Sequence, residues 1–443
     1  MNTLRETIRS MRTFIIIWFG QLISTLGSGL TSFALGVWIY EQTGSPTLFA
    51  INLLVYFLPR IILSPFAGVI ADRLDRRIVM LLSDSIAALG TLGITILLYT
   101  GNLAVWHIYI ASVLISIANT LQWPAYSAAV TLLVPKEHLG RSGGMSQVGD
   151  AIASLIAPGV AGVLYVASGL NTIILIDLGS FFFAFVTLLI VRFPKPESTG
   201  EVKVTFWQDL LVGWRFIIQR KGFLALQIIF AVMNFSGSIT NAMFTPLILE
   251  MAAPDTLGFI ATTLGGAYLV GTLILSIWGG PKRRIFGTYT FEFLFGVGIF
   301  LTGWATTIPW LIAAQMLSSL SVAIANGCTQ AIWQSKVPQN MQGRVFSARP
   351  MISFSIIPLA YLFSGPLSEK VFIPAMTEGG AIASRFGDTL GTGPDRGIGL
   401  MFIVFGFVYM LAAQAILLFP RLRRIELELP DAVENTPTQP ESE

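Results

Sequence analysis

The sequence predicts an all-α membrane protein of twelve transmembrane helices, divided into two repeated halves of six. Three observations predict it. Of the 443 residues, 54% are hydrophobic and only 12% charged, too few charges to cover a soluble surface of that size. Apolar runs of about 20 residues recur along the whole chain, each long enough as a helix to cross roughly 30 Å of hydrocarbon. A short pattern also returns half a chain later: Val134-Pro135-x-x-x-x-Gly140-Arg141 is matched by Val337-Pro338-x-x-x-x-Gly343-Arg344, the second glycine 203 residues after the first.

The runs fall, in order, at approximately 13–40, 47–70, 78–100, 103–131, 144–168, 171–193, 223–250, 257–280, 285–305, 308–334, 346–372 and 397–419. They are continuous rather than alternating with period two, which argues against a β-barrel. The first is too long for a signal peptide and no small-residue cleavage site follows it, so it is expected as the first span. Residues 1–193 are expected as an N-terminal six-helix bundle and 223–420 as a C-terminal one. Between them, 194–222 is the longest polar connection. Within it Trp207, Leu210, Leu211, Trp214, Ile217 and Ile218 keep helical spacing, with Gln208, Asp209, Arg215 and Gln219 off that stripe. Thr205 and Gln208 fit a capping box, so an amphipathic helix at the inner membrane interface is expected there. Residues 373–396 read as a Gly-rich external loop whose Gly391-x-Gly393 lacks the Lys-Ser/Thr of a phosphate loop. Residues 421–443 form a cytoplasmic tail, acidic and disordered over its last part.

Of the 27 Lys and Arg residues, all but Arg60, Lys370, Arg385 and Arg396 fall in loops of one side when the N-terminus is assigned to the cytoplasm. The positive-inside rule then puts both termini in the cytoplasm of an inner-membrane protein. Cys328 is the lone cysteine, and His107 and His138 are the two histidines, so neither a disulfide nor a Cys/His metal site can be assembled. No nucleophile–base constellation suggests an enzyme, no cofactor is implied, and a net charge of +3 spread over short loops is no nucleic-acid footprint.

Between the second and third runs, Gly68-Val69-Ile70-Ala71-Asp72-Arg73-Leu74-Asp75-Arg76-Arg77 packs five charges into six positions. Gly68 and Asp72 share a helix face, so a neighbouring helix can approach the glycine and present its positive N-terminus to the carboxylate. This string resembles the signature loop of the major facilitator superfamily of secondary transporters. The resemblance implies two pseudo-symmetric six-helix bundles, the major facilitator fold, with substrate bound between them near the midplane. It also implies that Asp72 latches the halves in one state, with Arg73, Arg76 and Arg77 as its salt-bridge partners or as lipid-headgroup contacts. The family more often has Gly at the position of Asp75. Gly140 with Arg141, and Gly343 with Arg344, are the repeated inner-loop elements. Ala157-Pro158-Gly159-x-Ala161-Gly162 resembles the Gly/Pro-rich element of exporters in the fifth span, a bendable, closely packing segment suited to sealing one side. The whole pattern, over roughly 10–420, is similar to the macrolide-efflux branch, and that branch is similar to siderophore and lysophospholipid carriers.

Charges inside the bilayer are costly and therefore candidates for function. Asp177 and Glu292 lie deepest, and Arg60 could supply a modulating charge. Asp84 and Asp150 stand nearer the inner ends, where acids often cap helices or pair with loop arginines. A proton-coupled exporter needs a carboxylate that burial and neighbours can switch between protonation states. The fourth span lacks the family's frequent Arg, and the first has no acid, only Gln21. Amides and aromatics expected to line the cleft are Gln21, Asn52, Tyr56, Asn234, Asn241, Phe244 and Asn326. The expectation is thus a monomeric exporter of amphipathic small molecules, exchanging them for protons among membrane lipids. A siderophore or lysophospholipid carrier is the alternative, and a transporter-like ligand sensor the one from a different class.

Overall fold

The computed structural model describes residues 11–191, 206–424 and Glu426; the first part of the 194–222 connection and the tail beyond 426 lie outside the described residues. Every described element is helical, and the helix boundaries follow from caps visible in the sequence. Helix α1, Arg12–Thr43, stops where Gly44 adopts a left-handed conformation (φ 59°) and returns its N–H to the Tyr40 carbonyl. Ser45 then caps α2, Pro46–Arg73, by accepting from Leu48 N, with Pro46 in the first turn where its missing N–H costs nothing. At the other end of α2, Asp75 accepts from Arg77 N at 2.8 Å and starts α3, Arg76–Tyr99. In α4, Val105–Leu133, His107 accepts from the backbone of Ala104 at 3.0 Å, so one of the two histidines is a helix cap.

The fifth and sixth runs form one continuous stretch, α5, Leu139–Ile190, broken at Gly169, whose φ of 75° and ψ of 179° no other residue type adopts readily. The arms on either side run in opposite directions. Trp18 donates to Met145 O on the first arm and Gly20 abuts Thr187 on the second, near the same end of α1. We call this the basic end, because Arg76 and Arg77 sit on it, and its opposite the far end.

Helix α6, Phe206–Gln219, is followed directly by α7, Lys221–Met251, α8, Pro254–Trp278, α9, Arg284–Gly303, and α10, Ile308–Lys336. On α6, Gly213, Phe216 and Ile217 are buried while Ile218 is half exposed. A Cβ at Gly213 would run into the Arg344 backbone, so α6 seats its face on α11, Gln339–Phe354, rather than only on a membrane surface. The eleventh run is not one smooth helix. It continues as α12, Ile357–Leu367, a π turn over Ser368–Phe372 and α13, Ile373–Met376. Pro350, Pro366 and Pro374 each lack the N–H that a continuous ladder requires. The segment expected as a loop at 373–396 also contains α14, Ala383–Leu390, before α15, Pro394–Leu418, and α16, Pro420–Arg423.

The two sides of Gly169 count as separate crossings, and α11 to α13 as one, so the described residues contain twelve runs of helix long and apolar enough to cross a membrane. By contact the chain forms two compact units. One comprises Met1–Glu201, Ile239–Gly266 and Pro358–Leu400; the other comprises Val202–Ser238, Ala267–Ile357 and Met401–Glu443.

The second unit has its own version of the charged turn. Gly279 and Gly280 take left-handed conformations, and α9 begins with no acid in the place that Asp75 holds before α3. The carboxylate comes instead from Glu426, which accepts from Arg284 N and Ile285 N, each at 3.0 Å, while its carbonyl accepts from Lys336 Nζ at 2.6 Å. A carboxylate on two free N–H groups of a helix start satisfies donors and opposes the helix dipole. Glu426→Ala is therefore expected to destabilise the protein by about 1 kcal/mol. Thermal unfolding in detergent checks it, and an unchanged midpoint would remove the cap assignment.

Candidate functional site

The site lies in the first unit and is built on α1. Gln21, Thr25, Ser28 and Ser32 recur at steps of four, three and four residues, which places them on one face. Nearby, Gly20 and Gly27 meet the second arm of α5; a Cβ at Gly27 would lie 2.9 Å from Asp177 Oδ1. Small residues let two helices approach until polar side chains of one reach the other, as at membrane helix interfaces generally.

The polar face of α1 borders a cavity of about 450 Å³, walled also by α2, α4 and both arms of α5. Asn52, Tyr56, Ser112, Asn119, Gln122, Ser146 and Asp177 contribute polar groups, and Trp18, Trp123, Tyr126 and Phe181 contribute aromatic surface. Among the described residues no Lys, Arg or His lines it. A smaller cavity of about 320 Å³ lies toward the far end and shares Gly29, Ser32, Asn52 and Leu53 with the first.

Two buried carboxylates lie in successive layers along the α1–α3 seam. In the first layer, Gln122 Nε2 donates to Asp84 Oδ1 and to Gln21 Oε1, both at 2.7 Å, and Gln21 Nε2 lies 3.4 Å from Asp84 Oδ2. In the second, Asp177 meets, among the described residues, hydroxyls: Ser28 at 3.4 Å and Ser180 at 3.5 Å on Oδ1, Thr91 at 3.4 Å on Oδ2. The layers are seven residues apart on α1 (Gln21 to Ser28) and on α3 (Asp84 to Thr91), hence separated by roughly 10 Å. Asp84 is 2% exposed and Asp177 1%. Amide N–H groups only donate, so the first layer suits an ionised carboxylate. Hydroxyls donate or accept, so the second can serve a charged or a neutral carboxyl without rearrangement.

A third carboxylate belongs to the second unit. Tyr409 OH donates to Glu292 Oε2 at 2.6 Å, and both groups are buried. Gly296, one turn along α9, leaves room for the Tyr409 ring and the Met410 backbone.

Other expected residues fall as follows. Asp84 is not a helix cap, because Asp75 already caps α3 and Asp84 lies nine residues further in, and among the described residues it pairs with no loop arginine. Arg60 is exposed on α2, and among the described residues it makes no hydrogen bond or ion pair with Asp84, Asp177 or Glu292; a modulating contact to them is not formed. Arg76 donates to Ala128 O near the end of α4 at 3.2 Å, and Arg77 to Leu188 O and Leu189 O at 2.9 and 2.7 Å. Arg77 thus caps the closing turn of α5, where carbonyls lack helical partners, and Arg76 ties the start of α3 to the end of α4. The side-chain positions of Gly68, Asp72, Arg73, Gly140, Asp150 and Gly343 lie outside the described residues; Arg141 and Arg344 are exposed. Gln21, Asn52 and Tyr56 line the larger cavity. Asn234 instead donates to Ser353 O at 2.9 Å in the second unit, and Asn326 is exposed on α10. Asn241 and Phe244 line neither cavity. The hydroxyls of Ser28, Thr91 and Ser180 went unnoticed in the sequence, although the step pattern on α1 was a signal for the first.

The Pro158–Gly162 segment has a defined partner. A Cβ at Gly258 of α8 would stand 2.5 Å from Pro158 O and 3.1 Å from Gly162 Cα, and Thr262 Oγ1 donates to Leu155 O at 2.9 Å. The two backbones touch because neither helix carries a side chain there.

Comparison with known proteins extends this geometry. The chain is 29% identical over 363 residues to macrolide efflux protein A of Streptococcus pyogenes, covering 81% of this chain and 90% of that protein. It is 30% identical over 321 residues to macrolide efflux protein A of Enterococcus faecalis, covering 71% and 99%. A crystal structure of a bacterial homologue of the human lysosomal transporter Spinster superposes with a TM-score of 0.69 at 12% identity, covering 92% of this chain and 98% of that one, a likeness of fold. The Major Facilitator Superfamily family model matches residues 17–361. A match over that much of a twelve-crossing helical chain makes it a multi-pass membrane protein of the Major Facilitator Superfamily.

Proposed function

We propose that this protein exports amphipathic small molecules across the inner membrane by alternating access, exchanging each for protons, with both termini in the cytoplasm. The observation that carries this reading is the pair of buried carboxylate layers beside a cavity that, among the described residues, no Lys, Arg or His lines. Ionisable groups within a membrane protein are expensive, and are retained where they move ions or substrate. Asp177, in its hydroxyl cage, is the residue that takes up and releases the proton; Asp84, held by two amides, shapes the cavity's field; Glu292 is the second unit's candidate. Aromatic and hydroxyl groups along the wall suit a large molecule with both apolar and polar faces. The efflux proteins to which the chain is similar support the direction of transport. The basic loops support the orientation. The Pro158–Gly162 contact with Gly258 is the closing surface at the far end, and the Asp72 turn is its counterpart at the basic end.

Inverted membrane vesicles test the proposal. With the lumen acidified, a labelled macrolide is expected to accumulate, and collapsing the pH gradient with an ionophore is expected to abolish accumulation. Equal uptake with and without the gradient would sink proton coupling, and binding without accumulation would favour a sensor.

A further inference from the structure

The far end of the first unit carries carboxylate contacts that the transport reading does not use. Helix α2 starts with Ser45 as cap and Pro46 without an N–H, leaving the N–H groups of Thr47 and Leu48 as its first free donors. Ser45 Oγ accepts from Leu48 N at 3.2 Å. The donor on Thr47 goes to a residue 322 positions away: Glu369 Oε1 accepts from Thr47 N at 3.0 Å, and from Ser45 Oγ at 2.5 Å. One carboxylate oxygen therefore completes the cap of α2, against the positive end of a 28-residue helix.

Glu369 is placed for this by two local features. It lies in the π turn between Pro366 and Pro374, an irregularity that re-aims a side chain and is often retained for function. One turn earlier, Gly365 packs directly on Thr47, so that a Cβ there would overlap Thr47 Cα. At the same end Tyr40 OH donates to Glu250 Oε1 of α7 at 2.7 Å. Both contacts tie the first hairpin, α1–α2, to helices that come after residue 220.

We propose that Glu369, seated on the α2 N-terminus and helped by Tyr40–Glu250, is the far-end latch that must release in each transport cycle. The inference rests on the alternating-access reading. A charge-assisted cap made by a distant helix closes the far end, and because each donor is a backbone or hydroxyl group that water can satisfy, it opens without stranding a buried charge.

Accessibility measures this directly. Ser32 borders both cavities, and Cys328 is 1% exposed, so a Ser32→Cys chain presents one reactive thiol. A membrane-impermeant maleimide applied from the far side of right-side-out vesicles is expected to label it slowly. Glu369→Ala is expected to raise the labelling rate about tenfold or more, the scale of a lost charge-assisted hydrogen bond. Gly365→Ala, which keeps the carboxylate and pries the contact apart sterically, is expected to do the same, and Glu369→Gln to fall between. Should one of them fail to fold, the others still decide. An unchanged rate in the folded variants overturns the latch while leaving alternating access intact. Faster labelling in these variants, with no gradient-driven flux in the unsubstituted protein, keeps the latch and overturns antiport.

Discussion

Replacing Asp177 by Asn is expected to bring the accumulation of substrate in acidified inverted vesicles down to a ratio near one. Asn keeps the shape and can hydrogen-bond the same hydroxyls of Ser28, Thr91 and Ser180, so folding and cavity volume should be preserved. What it loses is the exchangeable proton. A gradient of one pH unit supplies about 1.4 kcal/mol per proton, hence roughly a tenfold accumulation ratio for one-for-one exchange. An uncoupled variant still equilibrates substrate but cannot concentrate it, so counterflow should survive while uphill uptake disappears. Asp84→Asn and Glu292→Gln are the companions. If Asp177→Asn and Glu292→Gln both retain full gradient-driven uptake, the coupling assignment is wrong. If Asp84→Asn alone abolishes it, the proton belongs to the amide-held layer.

The second large effect is expected at Gly258. Its added Cβ would stand 2.5 Å from Pro158 O and 3.1 Å from Gly162 Cα, both backbone atoms, so no flexible side chain can give way. Gly258→Ala should cost about 1–3 kcal/mol as overpacking, despite the better helix propensity of alanine. On the proposed mechanism it should also slow transport more than tenfold by holding the far-end surfaces apart. Gly266 lies on the same helix with nothing within 4 Å of its would-be Cβ, so Gly266→Ala should be neutral or slightly stabilising. Thermal unfolding and uptake, measured on both variants side by side, separate the contact from propensity; equal behaviour of the two would remove the contact's importance.

Much of the framework was legible beforehand because it depends on neighbours in sequence. The hairpin at Gly44-Ser45-Pro46 is written in residue types that stop one helix and start the next. The reversal at Gly169 stands between two runs each of bilayer length. The eleventh run is one crossing, as hydropathy indicates, but the missing N–H groups of Pro350, Pro366 and Pro374 interrupt its ladder, which hydropathy alone does not reveal. That Gln21 and Gln122 hold Asp84 was not legible, because an acid near a helix start resembles a cap until the hydrogen bond of Asp75 shows the position is taken. The exposure of Arg60 was not legible either, because depth along an apolar run does not reveal which side of a helix faces protein.

By itself the sequence determined the class of the molecule, its crossings and the caps between them, because bilayer thickness and backbone hydrogen bonding act on contiguous residues. It also singled out Asp177 and Glu292, since a charge within an apolar run is conspicuous without coordinates. Only the tertiary structure decided what these groups meet. Gln21 and Gln122 on Asp84, hydroxyls around Asp177, Gly258 against Gly162, Glu426 on α9 and Glu369 on α2 join residues tens to hundreds of positions apart. Such pairings depend on the rotation of each helix about its axis and on where two backbones can touch. Those quantities are set by packing among all the helices at once, not by any local pattern.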